Sequence, residues 1–270
     1  MRLGPATTGS IAGHPYVAYG TGPPLVVIPG LNDPLARAGD YPWFDAAFLA
    51  YCRRLSRRCA SAGVSRRVHY VSRPRGATGD VAPMADGYAR VLDTLGSTDV
   101  LGISMGGFLA LRLAATDDRV RSLVCGLAAA RLSRHGRESL RTWREWAIDG
   151  EWRRIYRMGV RAVVTEPLRT LGTGGGAVWD WLVSEPIAFG DFTAAVDASL
   201  GFDGIPLLDD VDCPALVVGG TRDPFFTPEA FAATAEGLDC RFERLDGLGH
   251  DAVIEHPERF DGAVARFLRE

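Results

Sequence analysis

At 270 residues, 47% of them hydrophobic and 23% charged, the chain has enough apolar content to bury one large α/β domain, or one domain with an insertion. A net charge of -3 and a pI near 6.0 leave no global electrostatic footprint for nucleic acid or an anionic membrane surface. All 30 basic residues are arginine, which excludes any mechanism that needs a lysine Schiff base, a lysine general base or a phosphate-loop lysine.

In chain order, short apolar runs alternate with longer helical patterns, as expected of a mostly parallel sheet with crossover helices. Residues 7–20 read as a hairpin around Ala12-Gly13-His14, and PLVVIPG (24–30) as a buried strand ending in Pro-Gly. An amphipathic helix over 41–63 closes at Gly63, and RRVHYVS (66–72) is the next strand. The stripe Met84, Tyr88, Val91, Leu92 and Leu95 predicts a helix over 84–96. TDVLGIS then leads into SMGGFLALRLAA, a strand passing directly into a helix, and VRSLVCG (120–126) is a further strand.

Between Leu127 and Pro206 the strand rhythm stops, and five of the six tryptophans fall in this span. It reads as helices over RESLRTWREWAIDGEWRRIYRMGVRAVV, joined by the glycine-rich GTGGGA (172–177) to a second helical piece. Strands return in CPALVVGGTRD (213–223) and CRFERLDGLGH (240–250), and PERFDGAVARFLRE closes the chain as a helix. The expected organisation is a core of residues 1–126 and 207–270 with a helical insertion over 127–206.

The five cysteines (Cys52, Cys59, Cys125, Cys213, Cys240) are odd in number and contain no C-x-x-C pair. That pattern points to free thiols in a reducing cytoplasm and against a disulfide frame or a zinc site. The first twenty residues carry no continuous apolar stretch, and no apolar run approaches the roughly eighteen residues of a membrane span. The expectation is a soluble cytoplasmic protein acting on a small-molecule substrate, with no metal and no cofactor.

The chemistry is concentrated at Gly102-Ile103-Ser104-Met105-Gly106-Gly107. A strand that turns sharply into a helix needs small residues two before and two after the turn, and Gly102 and Gly106 supply them. Such a turn lifts the Ser104 hydroxyl above the sheet edge, while the helix start aims N–H groups at any developing anion. Met105 would supply one oxyanion donor. The turn after the early strand, Pro29-Gly30-Leu31-Asn32, falls where a second is required, with Leu31 N–H as donor and Gly30 allowing close approach.

Asp223 ends a buried strand at the carboxyl edge of the sheet, where it could act as a catalytic acid or cap the helix starting near Thr227-Pro228. Among the five histidines, His14 lies at a hairpin turn, His69 inside a strand, His135 in the insertion and His256 beside Pro257. Only His250, in the loop LDGLGHDAV, stands where an imidazole can lean over the sheet edge toward both Ser104 and Asp223.

The order Ser104, Asp223, His250, each following a strand, resembles the α/β-hydrolase family over essentially the whole chain. The resemblance also rests on Pro29-Gly30-Leu31, on the Gly-Gly-Thr-Arg-Asp run and on Gly249-His250. Pro29 is a departure, since many members have histidine before that glycine; backbone donation is unaffected. A serine nucleophile separates the chain from the haloalkane dehalogenase and epoxide hydrolase branches, which use aspartate.

The resemblance implies a parallel central sheet with helices on both faces, a helical lid after the sixth strand, and a cofactor-independent serine esterase acting through an acyl-enzyme. Trp143, Trp146, Trp152 and Tyr156 would share an apolar lid face lining an acyl pocket, or only pack the lid onto the core. The nine arginines of residues 131–161, set against four acids, read as a solvated and partly paired helix face, with an anionic substrate or partner as the sharper alternative. Within the family, carbon-carbon bond hydrolysis and lactone hydrolysis are alternatives to ester cleavage. Outside enzymes, the alternative is a ligand-binding protein with a slow triad.

Overall fold

Leu25 and Val27 face one side of the central sheet and Val26 and Ile28 the other, all four fully buried. Such a run, apolar on both faces, is what a strand covered by helices on each side requires. The computed structural model describes residues 6–155 and 189–270. Eight strands form one sheet: β1 (Thr7–Ile11), β2 (His14–Tyr19), β3 (Pro24–Ile28), β4 (Arg67–Val71), β5 (Thr98–Ile103), β6 (Val120–Gly126), β7 (Ala215–Gly220) and β8 (Arg241–Leu245). Their order is β1-β2-β4-β3-β5-β6-β7-β8. The β1–β2 and β2–β4 pairs are antiparallel and every later pair is parallel.

Helices α1 (Pro42–Ser61), α2 (Val81–Leu95) and α3 (Met105–Ala114) connect the early strands, and α4 (Arg134–Ile148) follows β6. Then come α5 (Phe189–Gly201), α6 (Pro228–Gly237), the single turn α7 (Ala252–Glu255) and α8 (Pro257–Phe267). Cys52 and Leu55 of α1 and Phe260 and Val264 of α8 pack in the core on one face of the sheet. The other face holds Tyr88 of α2, Phe108 of α3 and Phe231 of α6, in a core continuous with Trp143 of α4 and Phe192 of α5. This is the architecture that the resemblance to α/β-hydrolases implies, with α4 and α5 falling in the chain between β6 and β7.

Two helices differ from the sequence expectation. α2 starts at Val81, three residues earlier than the apolar stripe suggests, because Asp80 accepts the Ala82 N–H and caps it. α4 starts at Arg134 behind the Ser133 cap, and ends at Asp149-Gly150, where Gly150 has φ +72°. Of the helices expected over RESLRTWREWAIDGEWRRIYRMGVRAVV, the described part of the chain holds α4 and the helical residues 152–155, separated at Gly150. Tyr156 and GTGGGA lie outside the described residues.

The segment that leaves β6 and the segment that leads back to β7 are tied to each other. Gly204 N–H donates to the Ala130 carbonyl at 2.9 Å, and Arg131 pairs with Asp203. Arg144 of α4 pairs with Asp197 of α5 at 2.6 Å, Arg134 with Glu138 and Arg154 with Glu151. Arg137 donates to the Leu200 carbonyl. These pairings match the solvated, paired face and leave the anionic-partner alternative without support from these residues. All five cysteines are free, and burial pushes the Cys52 and Cys59 thiols up to about 12.

Candidate active site

Ser104 sits between β5 and α3 with φ +55° and ψ -124°, a conformation that L-residues rarely adopt. Its N–H donates to Gly126 O at 2.9 Å and its carbonyl accepts the Gly107 N–H at 2.8 Å, so both neighbouring elements hold the strained turn in place. The glycines around it have steric reasons. A Cβ on Gly102 would strike the Gly106 carbonyl, and one on Gly106 would strike the Ile28 carbonyl of β3.

The His250 loop runs from β8 to α7 and brings the imidazole over this turn. His250 Nε2 lies 2.8 Å from Ser104 Oγ, and Nδ1 lies 2.7 Å from Asp223 Oδ2. Because a carboxylate only accepts, the arrangement assigns the proton to Nδ1 and leaves Nε2 to accept from the serine hydroxyl. The Asp223 side chain is fully buried, and its Oδ1 accepts the Phe225 and Phe226 N–H groups at 2.8 and 3.1 Å. Capping of α6 falls instead to Thr227, whose hydroxyl accepts the Ala230 N–H. The capping alternative for Asp223 is thereby corrected: its carboxylate closes the loop after β7 and holds the histidine.

Phe225 and Phe226 lie against the imidazole, with ring centroids 4.7 and 5.9 Å from it. Neither is among the residues that the sequence pattern singles out. Their place directly after Asp223-Pro224 is the available signal, since a carboxylate that bonds the next N–H groups brings those side chains along.

A cavity of about 240 Å³ opens beside Ser104 and His250. Leu31 and Met105 are in its wall, the latter at the first position of α3, where a helix N–H has no intrahelical acceptor. A Cβ on Gly30 would come within 3.1 Å of Ser104 Cβ, so the Pro29-Gly30-Leu31 turn runs directly against the serine. Phe48 of α1 and Tyr70 of β4 wall one part, and Leu140 and Trp143 of α4 another. Phe48 and Tyr70 stack at 4.2 Å; Phe48 is half-buried beside the buried stripe of α1 and Tyr70 lies near a strand end, so the sequence pattern singles out neither.

Trp143 of α4, 4% exposed, reaches this cavity. Trp152 packs instead against Phe192 of α5 at 5.7 Å, and Trp146 lies under the Arg154 guanidinium. The expectation that these tryptophans line one pocket face is therefore corrected for Trp146 and Trp152. A three-residue step and a helix break turn their side chains to different neighbours.

Behind the Pro29-Gly30 turn lies a buried ion pair. The Arg73 backbone N–H donates to Asp33 Oδ2 at 2.8 Å, and the Arg73 guanidinium stands 3.8 Å from the same oxygen. Burial raises the Asp33 carboxyl pKa above its ordinary range, opposed chiefly by the Arg73 charge. No group of three or more His, Cys, Asp or Glu among the described residues is placed to hold a metal ion.

Residues 22–263 match the sequence pattern of the alpha/beta hydrolase family. The chain belongs to that family. It is accordingly an enzyme, a hydrolase. Among curated proteins, it is 30% identical over 198 residues to a pimeloyl-(acyl-carrier protein) methyl ester esterase of Neisseria meningitidis serogroup B, covering 70% of this chain and 75% of that one. It is also 30% identical over 269 residues to part of the polyketide synthase ThaQ of Burkholderia thailandensis, a match that spans 93% of this chain and 12% of that protein. Among solved structures, the enol-lactonase of Burkholderia xenovorans LB400 superposes with a TM-score of 0.72 at 18% identity, covering 98% of this chain and all of that one. No helix among the described residues is long and apolar enough to cross a membrane.

Proposed function

We propose that this alpha/beta hydrolase is a cofactor-independent serine esterase that cleaves a carboxylic ester of a small or medium acyl group through an acyl-enzyme. The observation that carries the reading is the unbroken hydrogen-bond relay Ser104 Oγ, His250, Asp223, at 2.8 and 2.7 Å. His250 Nε2 takes the Ser104 proton as Oγ attacks the ester carbonyl, and Asp223 holds the imidazolium that forms. The Leu31 and Met105 N–H groups receive the oxyanion, and the same imidazolium then protonates the leaving alcohol. Water enters, His250 takes its proton as the oxygen attacks the acyl carbon, and the imidazolium returns that proton to Ser104 Oγ as the acid leaves.

The relative from Neisseria meningitidis is named for a carboxylic ester, which agrees with this bond type. The cavity, about 240 Å³ and walled largely by apolar side chains, suits a short acyl chain rather than a long one. The insertion over residues 127–206 serves as a lid, with Leu140 and Trp143 of α4 forming its inner surface over the serine. The core then comprises residues 1–126 and 207–270.

The experiment is hydrolysis of nitrophenyl esters from acetate to dodecanoate by the wild type and by Ser104→Ala. Serine-dependent turnover with an optimum at short or medium chains is expected. Turnover equal in the two proteins at every chain length would sink the esterase reading and favour carbon-carbon bond hydrolysis.

A further inference from the structure

One buried guanidinium holds both carbonyls at the end of β3. Arg73 Nη1 donates to Pro29 O at 3.0 Å and Nη2 donates to Gly30 O at 2.7 Å. Arg73 is 2% exposed and follows β4, the strand paired with β3, so its side chain crosses from one strand end to the next. Gly30 O also accepts the Asp33 N–H at 3.2 Å, which closes the turn Gly30-Leu31-Asn32-Asp33. The Asp33 carboxylate in turn accepts the Arg73 backbone N–H. Two donors therefore converge on one carbonyl oxygen.

That oxygen belongs to the peptide whose N–H is that of Leu31. In a trans peptide the C=O and N–H point to opposite sides of one rigid plane, so anchoring Gly30 O fixes the direction of Leu31 N–H. Gly30 itself runs against Ser104, as the 3.1 Å approach of a Cβ there to Ser104 Cβ establishes. Charge-assisted hydrogen bonds are stronger than neutral ones, and a peptide polarised at its oxygen becomes a better donor at its nitrogen.

We propose that Arg73 is a positioning residue of the oxyanion site: it locks the Gly30-Leu31 peptide with Leu31 N–H directed at the anion formed on Ser104 attack, and strengthens that donor. The inference rests on the reading of Ser104 as nucleophile. It assigns a use to a charge that is costly to bury and does not itself face the reacting atoms. The Asp33 carboxylate keeps the guanidinium compensated when no anion is present.

The test compares Arg73→Met and Arg73→Lys with the wild type and Ser104→Ala. It reads the rate of covalent labelling by a fluorophosphonate probe, kcat and KM on the best nitrophenyl ester, and the thermal melt. It also reads inhibition by a trifluoromethyl ketone, which forms an oxyanion with the serine, against the matching methyl ketone. Arg73→Met is expected to label about 10- to 100-fold more slowly, with kcat lowered by a similar factor and KM unchanged. Arg73→Lys, a single point donor, falls between. Affinity for the trifluoromethyl ketone drops with kcat while that for the methyl ketone does not.

A folded Arg73→Met with wild-type labelling and kcat would overturn the proposal, as would a loss confined to KM. If the methionine variant does not fold, wild-type kcat in a folded Arg73→Lys overturns it. Failure of the nucleophile reading looks different: Ser104→Ala labels as fast as the wild type, or the wild type does not label, and the proposal falls with it.

Discussion

His250 Nδ1 lies 2.7 Å from Asp223 Oδ2, while the other oxygen of that carboxylate is already held by two backbone N–H groups. The carboxylate is thus fixed before the histidine meets it, and its charge and orientation pass to the imidazole without a search over rotamers. Asp223→Asn keeps the shape but offers an amide that can bond the wrong tautomer. Its kcat is expected to fall by about three to four powers of ten with KM little changed. Steady-state kinetics of the purified variant, with circular dichroism to verify the fold, would check this; a loss under tenfold would remove Asp223 from the relay.

Trp143 and Trp152 separate pocket shape from helix packing. Trp143→Leu enlarges the cavity beside Ser104, so the chain-length optimum in the nitrophenyl series should move to longer acyl groups. Trp152→Leu removes packing against Phe192 outside the cavity wall and should lower stability by about 1–3 kcal/mol while leaving the optimum in place. An unchanged optimum in Trp143→Leu would show that the acyl group does not reach α4.

The elbow glycines are tested by adding one methyl group. In Gly106→Ala the new Cβ meets the Ile28 carbonyl on the backbone of β3, which cannot rotate away. Urea denaturation is expected to give a loss of at least about 1–3 kcal/mol, accompanied by loss of activity as the turn opens. Wild-type stability together with wild-type activity would contradict the close approach.

Acid sensitivity should arise from two histidines away from the site. Burial lowers the pKa of both His14 and His69 to about 4, from an ordinary 6.5. Above pH 6.5 both are neutral in the folded and unfolded chains, and neither affects stability. Below it the unfolded chain binds protons that the folded chain refuses, so stability falls as the pH drops from 6.5 toward 4. Between those limits unfolding should take up about two protons from this pair, read from the slope of unfolding free energy against pH. His14→Gln and His69→Gln should each flatten that slope; an unchanged slope in both would assign the acid loss to other groups.

Much of the architecture is legible in the residues because it depends on local patterns. The apolar run of β3, the Ser104 turn and the helix ending before Gly63 each carry their cause within a few positions. The order of Ser104, Asp223 and His250 along the chain then brings distant loops to one sheet edge. What escaped has non-local causes. Nothing near Arg73 in sequence says that its side chain will reach Pro29 and Gly30, because that contact depends on β3 and β4 being paired neighbours. The early start of α2 hides behind Asp80, whose cap precedes the apolar stripe. The division of Trp143 from Trp152 depends on the break at Gly150, which the spacing of the tryptophans does not mark.

An acyl group carried by Ser104 adds to the mass of the protein, and that mass should be read within milliseconds to seconds of mixing with an activated nitrophenyl ester. A burst of nitrophenolate near one equivalent is expected, with a mass gain equal to the acyl group and mapping of that group to the peptide containing Ser104. A linear time course with no adduct, and equal turnover in Ser104→Ala, would contradict it.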